Sequence, residues 1–180
     1  MQNNVDILLE LLNQQGPRLH ALLTRLTLRE DIAEDLMQEL FIKLAGSNRL
    51  EKVDNLPAYV RTTAINLAFD WRRKETRIHT RSDEYIEPVS EERGAVSRLI
   101  DREHLQIVME AAEQLNELQR QVFVMRYIEQ TSFEQIAQEV GKTPHHVRAL
   151  ASRALSRVRD ICAKIQVRSS QEGANRHVAG

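Results

Sequence analysis

Residues 131–159 carry two helix start signals, one on either side of a single glycine. Thr131 or Ser132 can cap a first helix, and an acid or amide three positions later completes a capping box in either register. Gly141 can adopt the left-handed conformation that ends a helix. Thr143 offers a second capping hydroxyl, and the proline after it suits the first turn of a new helix. The stretch therefore predicts a helix-turn-helix.

The second helix of this motif has an apolar stripe and a polar face. The stripe recurs at helical spacing and is expected to point inward: Val147, Leu150, Ala151, Ala154 and Val158. The residues that project from the other side are His145, Arg148, Ala149, Ser152 and Arg153. A helix that presents arginines near its start matches one that docks in the major groove of DNA. An ordinary helical hairpin with a solvated basic face is the alternative interpretation.

Composition favours an all-α protein. The 180 residues leave room for one domain or two small ones, and only six of them are glycine and four proline. Leu, Ala, Glu, Gln and Arg are abundant, and these residues favour helices over sheets. Since the net charge is −1, any affinity for nucleic acid must come from local clusters of charge.

The sequence also disfavours several classes of protein. The single Cys162 excludes an intramolecular disulfide and supplies no zinc cluster, so we expect a buried helix thiol and no metal site. No apolar run is long enough to span a bilayer, and the first residues lack a basic leader and a small-residue cleavage site. We therefore expect a cytoplasmic protein without membrane insertion. No Gly-rich phosphate loop, metal-ligand spacing or nucleophile–base pair is present, so we expect no catalytic residue and no cofactor.

Residues 29–45 predict one strongly amphipathic helix, in which Ile32, Leu36, Leu40 and Leu44 lie four apart. The other face carries a polar cluster, which consists of Asp31, Glu34, Asp35, Gln38 and Glu39. Paired carboxylates could serve general acid–base chemistry or a metal, but no histidine accompanies them. A solvated face is the simplest interpretation, and a docking face for a basic protein partner is the other.

A further helix is expected to start near Asn55 and to bury an apolar face that reaches Trp71. Its outward residues are Arg61, Thr62, Asn66, Asp70 and Arg73, and its end concentrates positive charge in Arg72, Arg73, Lys74 and Arg77. Cations at a helix C-terminus interact favourably with the macrodipole, which alone could explain them. A tryptophan beside a basic cluster also suits phosphate contact and stacking on unpaired bases. Taken alone, Trp71 is slightly better explained as core.

The remaining segments define the expected domain boundaries. We expect an N-terminal helical domain at residues 1–80, with its first helices separated near Gly16 and Pro17. Periodicity fades from Glu75 to about Asp101, and we expect a flexible linker at residues 81–103 with short helical pieces near its end. A helical domain follows at residues 104–167, where QVFVMRYI is interpreted as a core helix despite its strand-like alternation. Residues 168–180 predict a disordered tail.

The order of these segments resembles the bacterial sigma-70 family, in particular the short two-domain extracytoplasmic-function sigma factors. REDIAEDLMQELFIKLA resembles the helix that docks on the clamp of the largest RNA polymerase subunit. NLPAYVRTTAINLAFDWRRKETR resembles the segment that melts and reads the −10 promoter element. The stretch from LNELQRQVFVMRYI to the end of the helix-turn-helix resembles the domain that reads the −35 element. The match covers residues 19–159 in the right order, and the combination is far more specific than any one piece.

The resemblance implies a sigma factor that binds core RNA polymerase and promoter DNA and that an anti-sigma factor often inhibits. It implies polymerase contacts by Asp31, Glu34, Asp35, Gln38 and Glu39. It implies −10 contacts by Asn66, Asp70, Trp71, Arg72, Arg73, Lys74 and Arg77. It implies −35 contacts by His145, His146, Arg148, Ala149, Ser152 and Arg153. Within the last set we expect Arg148 to read a guanine or touch its phosphate, and Arg153 to hold the backbone.

The chain departs from the family pattern in the recognition helix. His145 and His146 stand where the family often has Gly-Thr or Ser-Thr, and two imidazoles beside phosphates could make the affinity pH-sensitive. Ala149 and Ser152 are small where some members carry larger base-reading groups, which leaves the promoter sequence open. Two other interpretations compete with a sigma factor. One is a regulator that binds a palindromic site unaided as a dimer, and the other is a helical adaptor protein.

Overall fold

The computed structural model describes the chain except for residues 1, 48–49, 51–52, 80–94 and 179–180. Its α-helices, in chain order, are α1 Gln2–Thr27, α2 Glu30–Ala45, α3 Leu56–His79, α4 Ala95–Glu113, α5 Glu117–Phe123, α6 Phe133–Val140 and α7 Pro144–Val178. A π-helical turn, Val124–Ile128, follows α5 directly. No strand occurs in the described part of the chain, which confirms the all-α prediction and the helical interpretation of QVFVMRYI.

The N-terminal domain consists of α1–α3, and its first helix differs from the prediction. The sequence predicted a break near Gly16 and Pro17, but α1 is continuous and contains Pro17. An internal proline removes one helical hydrogen bond and costs about 3 kcal/mol. The helix persists because leucines on both sides of Pro17 form one buried face against α2 and α3: Leu8, Leu11, Leu19, Leu22, Leu23 and Leu26. Tertiary packing overrides the local break.

The C-terminal domain consists of α4–α7, with α4, α5 and α6 packed on α7. All five residues of the predicted inward stripe of α7, from Val147 to Val158, are buried. Ser132 caps α6 and Gln135 completes the capping box, so the second of the two possible registers is the one adopted. Gly141 ends α6 with φ 64° and ψ 38°, and α7 begins at Pro144, both as predicted.

Two predicted boundaries differ from the structure. The linker expected at residues 81–103 does end in helix, as predicted, but α4 begins at Ala95 and runs unbroken past residue 103; residues 80–94 lie outside the described part of the chain. The tail predicted to be disordered from residue 168 continues as α7 to Val178. No proline stops α7 after residue 144, and a lone glycine such as Gly173 costs a helix only about 1 kcal/mol. The prediction that α7 ends near residue 167 was therefore wrong, because a helix can continue without regularly spaced apolar residues.

The two domains pack against each other. Buried side chains of both belong to one continuous hydrophobic cluster, and α3 contacts α5 across the boundary. Arg25 on α1 donates a hydrogen bond of 3.2 Å to the carbonyl of Ile128 in the π-helical turn. In the described ranges, no helix is long and apolar enough to cross a membrane. On the polar face of α3, Arg61 and Asn66 contact the C-terminal domain.

Candidate nucleic-acid interface

The acidic face of α2 is exposed. Asp31, Glu34, Asp35, Gln38 and Glu39 all lie at the surface, while Leu36, Leu40 and Leu44 are buried beneath them. Asp31 accepts two hydrogen bonds from Arg29, one of 2.5 Å from Nη2 and one of 3.1 Å from Nε. These bonds lower the pKa of Asp31. Next to the carboxylates, Ile42 is 71% exposed, which adds an apolar side chain to an otherwise charged surface.

Arg61 of α3 forms ionic contacts with two carboxylates of the C-terminal domain. Its Nη1 lies 2.8 Å from each carboxylate oxygen of Glu139 on α6, and its Nε lies 3.8 Å from Glu129. Glu129 is nearly buried, and burial raises its pKa despite the attraction of Arg61. One oxygen of Glu129 has no hydrogen-bond partner. The sequence placed Arg61 on an outward face, and the structure makes that face part of the domain boundary.

Asn66 lies one helical turn further along the same face and also contacts the C-terminal domain. Its Nδ2 donates to Glu117 at 2.7 Å, and its Oδ1 accepts a 3.5 Å bond from Arg120. The guanidinium of Arg120 stacks over the ring of Phe69, 5.1 Å from its centroid. Burial lowers the pKa of Arg120, and its Nε has no hydrogen-bond partner. Asn66, a candidate for −10 contact, is therefore engaged by α5 in this arrangement.

Arg72 is buried, although the sequence placed it in the basic cluster at the end of α3 and among the expected −10 contacts. Only 4% of its side chain is exposed. Its Nη1 donates to the carbonyl of Leu26 at 3.1 Å, and its Nε donates to Glu113 at 2.9 Å. Burial lowers the pKa of Arg72 and raises that of Glu113, and their mutual attraction partly offsets both shifts. In this arrangement Arg72 joins α1, α3 and α4 and cannot reach a phosphate.

The other −10 candidates occupy different environments. Asp70 and Arg73 pair with each other at the half-exposed surface of α3, and Lys74 is exposed. Trp71 is partly buried and packs against the core, as expected if it is structural. The side chain of Arg77 lies outside the described residues, although its backbone belongs to α3. Within this group, therefore, Arg73 and Lys74 are the basic side chains at the surface.

The candidates for −35 contact share one face of α7. His145, His146, Arg148, Ser152 and Arg153 are exposed, and Ala149 is partly buried between them. The backbone N–H of His146 donates to the capping Thr143 hydroxyl at 3.3 Å. Arg148 donates to Glu134 on α6 at 2.7 Å, whereas Nε of Arg153 donates to the Ala149 carbonyl of its own helix at 3.1 Å. The two arginines are thus held in different ways.

Sequence reasoning missed every acidic partner at the domain boundary, as well as Arg120. These residues are Glu113, Glu117, Glu129 and Glu139. Each contacts a residue of α3 more than 40 positions away, and no local pattern marks such a pairing. Cys162, expected to be buried, is partly exposed, and burial raises the pKa of its thiol. Among the described residues, no group of His, Cys, Asp and Glu is arranged to hold a metal ion.

Comparison with known proteins matches both domains to one family. The model of sigma-70 region 2 matches residues 11–78, and that of sigma-70 region 4 matches residues 105–158. The RNA polymerase sigma factor CarQ of Myxococcus xanthus is 26% identical over 165 residues, which cover 90% of this chain and 92% of that protein. The sigma factor RpoE of Bartonella quintana, solved in complex with the anti-sigma factor NepR, is 26% identical with a TM-score of 0.48. That comparison covers 84% of this chain and 94% of RpoE.

Proposed function

Because this chain belongs to the sigma-70 family, as a member of its extracytoplasmic-function group, we propose that it binds core RNA polymerase and directs transcription from promoters with its own −10 and −35 elements. Members of this family are transcription initiation factors rather than enzymes. The observation that carries the proposal is the helix-turn-helix of α6 and α7, which presents Arg148 and Arg153 on an exposed face. The match of residues 11–78 to sigma-70 region 2 supports a second promoter contact, which a stand-alone regulator would lack.

The exposed face of α2 is the proposed polymerase-docking surface. Its carboxylates lie opposite the buried leucines, so they can meet a basic partner without disturbing the core. Long-range attraction between this face and a basic polymerase surface would speed encounter and favour one orientation. The neighbouring Ile42 offers apolar area that binding would remove from water.

The polar face of α3 is the proposed −10 surface, with Asn66, Asp70, Arg73 and Lys74 as contacts and Arg77 beyond them. A flipped base stacked near Trp71 would help to hold the strands open. Arg72 is omitted from the proposed contacts because it is buried. Asp70, Arg73 and Lys74 are already accessible, whereas Asn66 is bonded to α5 and becomes available only when the two domains separate. Binding to polymerase and DNA must therefore replace the contacts between the domains.

The helix-turn-helix is the proposed −35 surface. Arg148 lies in the first turns of α7, where recognition helices contact base edges, and is proposed to read a guanine. Arg153 is proposed to hold the phosphate backbone, with Ser152, His145, His146 and Ala149 as lesser contacts. Two domains on one chain raise each other's effective concentration at the promoter. By resemblance to its family, the protein would act in the cytoplasm and be controlled by an anti-sigma factor.

Reconstituted transcription tests this function. Purified protein mixed with core RNA polymerase should co-migrate with it and produce promoter-dependent transcripts that core polymerase alone does not make. Specific binding of the isolated protein to a palindromic DNA site as a dimer, without polymerase, would support the unaided regulator instead. Absence of any polymerase association would reject the sigma-factor proposal.

A further inference from the structure

Arg148 is held by two residues of the preceding helix. Its Nη2 lies 2.7 Å from Oε1 of Glu134, and its guanidinium carbon lies 5.4 Å from the centroid of the Phe133 ring. Both residues belong to the first turn of α6, whose start is fixed by the Ser132–Gln135 capping box. An arginine on a solvated surface samples many rotamers, whereas this one has a carboxylate at its tip and an aromatic ring beside it.

The Phe133 ring is held in turn by a second arginine, Arg126. The guanidinium of Arg126 lies 4.5 Å from its centroid, and Nη1 of Arg126 donates to the carbonyl of Thr131 at 3.1 Å. Phe133 is partly buried and packs against the hydrophobic core. The chain of contacts therefore runs from the π-helical turn through Phe133 to Arg148, and it fixes Arg148 relative to the body of the domain.

Stability does not account for the Glu134–Arg148 pair. The two side chains are 61% and 54% exposed, and exposed ion pairs contribute little to folding. The geometry also leaves donors free: a guanidinium carries five N–H groups, and Glu134 accepts only one of them in this structure. The remaining N–H groups are enough for a bidentate contact to a guanine edge.

Arg153 provides the internal comparison. It lies on the same face of α7 and is also exposed, but its hydrogen bond is to a backbone carbonyl of its own helix. Neither a carboxylate contact nor an aromatic contact to Arg153 is present within the described part of the chain. This difference fits two separate roles. Arg148 must be oriented toward a base edge, whereas Arg153 needs only to reach a phosphate.

We propose that Glu134 and Phe133 are positioning residues that orient Arg148 for base recognition and so set promoter discrimination. This inference rests on the proposed role of Arg148 in −35 reading. Pre-orientation lowers the entropy lost when the arginine binds its base. The resulting gain in affinity applies only to a base that offers the correct acceptors. Pre-orientation therefore increases sequence specificity rather than general affinity for DNA.

The test uses holoenzyme assembled from core polymerase and the full chain, with a panel of promoters substituted at each −35 position. The readout is the ratio of affinities for the preferred and substituted base pairs. One good bidentate contact gives a ratio of about 5- to 150-fold. Glu134→Ala is expected to lower this ratio about fivefold or more at the single position read by Arg148. Glu134→Gln keeps an acceptor oxygen at the same length and is expected to restore part of it.

Three controls separate orientation from charge and from folding. Asp160→Asn removes an exposed negative charge elsewhere on α7 and should leave the ratio unchanged. Phe133→Leu keeps apolar bulk but removes the aromatic face, and it should lower the ratio at the same position. The thermal midpoint of Glu134→Ala should equal that of the wild type, since an exposed pair adds little stability.

Two results would overturn the inference. An unchanged ratio in Glu134→Ala, with Arg148→Ala abolishing discrimination at that position, would reject positioning while leaving base reading intact. An unchanged ratio in Arg148→Ala would reject base reading itself and the positioning role with it. An equal loss of ratio in Asp160→Asn would also overturn positioning, because removal of charge alone would then explain the effect.

Discussion

Nη1 of Arg61 lies 2.8 Å from both carboxylate oxygens of Glu139, and the two residues belong to different domains. Their side chains are 13% and 21% exposed, so this contact is largely shielded from water. With Glu129 beside them, Arg61 faces two carboxylates, and Arg18 and Arg25 also attract Glu129. Removing one partner from such a cluster leaves an uncompensated charge, so the contact should respond sharply to charge reversal.

Arg61→Glu should separate the two domains, because three carboxylates would then meet at one partly dehydrated point. We expect a larger radius of gyration by small-angle X-ray scattering and an unchanged helix content by circular dichroism. The double variant Arg61→Glu, Glu139→Arg restores an opposite pair and should recover the compact form. The same radius of gyration in wild type and Arg61→Glu would contradict the role of this contact.

Glu129→Gln should change how stability depends on pH. The pKa of Glu129 in the folded protein lies above its ordinary value, because burial opposes the charged form more than Arg61 favours it. The free energy of unfolding contributed by Glu129 is therefore highest below the ordinary glutamate pKa and falls as pH rises through the raised value. Replacement by neutral glutamine should remove this loss of stability between the ordinary and the raised pKa. The variant should therefore be no less stable than the wild type at pH 7.

Chemical denaturation across that pH window measures the effect. Glu139→Gln is the matched control, since Glu139 makes the two close contacts to Arg61. It should lower stability at pH 7 rather than preserve it. If Glu129→Gln lowers stability at pH 7 as much as Glu139→Gln does, the attraction of Arg61 outweighs the burial of Glu129.

Arg72→Ala should destabilise the fold, whereas Lys74→Ala should affect DNA alone. Arg72 is buried and satisfies both Glu113 and the Leu26 carbonyl, so its removal should cost about 3–5 kcal/mol. Lys74 is exposed, and its loss should reduce the salt slope of promoter binding by about one unit without changing stability. Denaturant titration and salt-dependent promoter binding by holoenzyme make the comparison. If Arg72→Ala is as stable as the wild type, the buried contacts of Arg72 do not support the fold and Arg72 is again a candidate for DNA contact.

Asp35→Lys combined with Glu39→Lys should weaken binding to core polymerase while leaving the far-UV spectrum unchanged. Both residues are exposed on α2, opposite its buried leucines. Asp6→Lys with Glu10→Lys makes the same change in net charge on the exposed side of α1 and should have little effect. A competition assay against labelled wild-type protein measures the affinity. Equal losses of affinity in the two double variants would show that net charge, and not the exposed face of α2, determines binding to core polymerase.

Features that depend on residues three or four positions apart could be predicted from the sequence. The capping box at Ser132, the left-handed Gly141 and the start of α7 at Pro144 all follow from local hydrogen bonds and backbone preferences. The amphipathic character of α2 follows from the spacing of its leucines, so its exposed acidic face was predictable as well. Such interactions are encoded within one or two helical turns and need no knowledge of the partner helix.

The surroundings of the polar residues of α3 could not be predicted, because they depend on how distant helices pack. Arg61 has the spacing and charge of a surface residue and Arg72 has the charge of one, yet Glu139 and Glu113 lie against them because α6 and α4 pack there. Tertiary packing also keeps α1 continuous at Pro17, because burial of its long leucine face stabilises the helix by more than the loss of one hydrogen bond costs. Contacts between residues far apart in sequence depend on how whole helices pack, and that packing leaves no periodic mark on either segment.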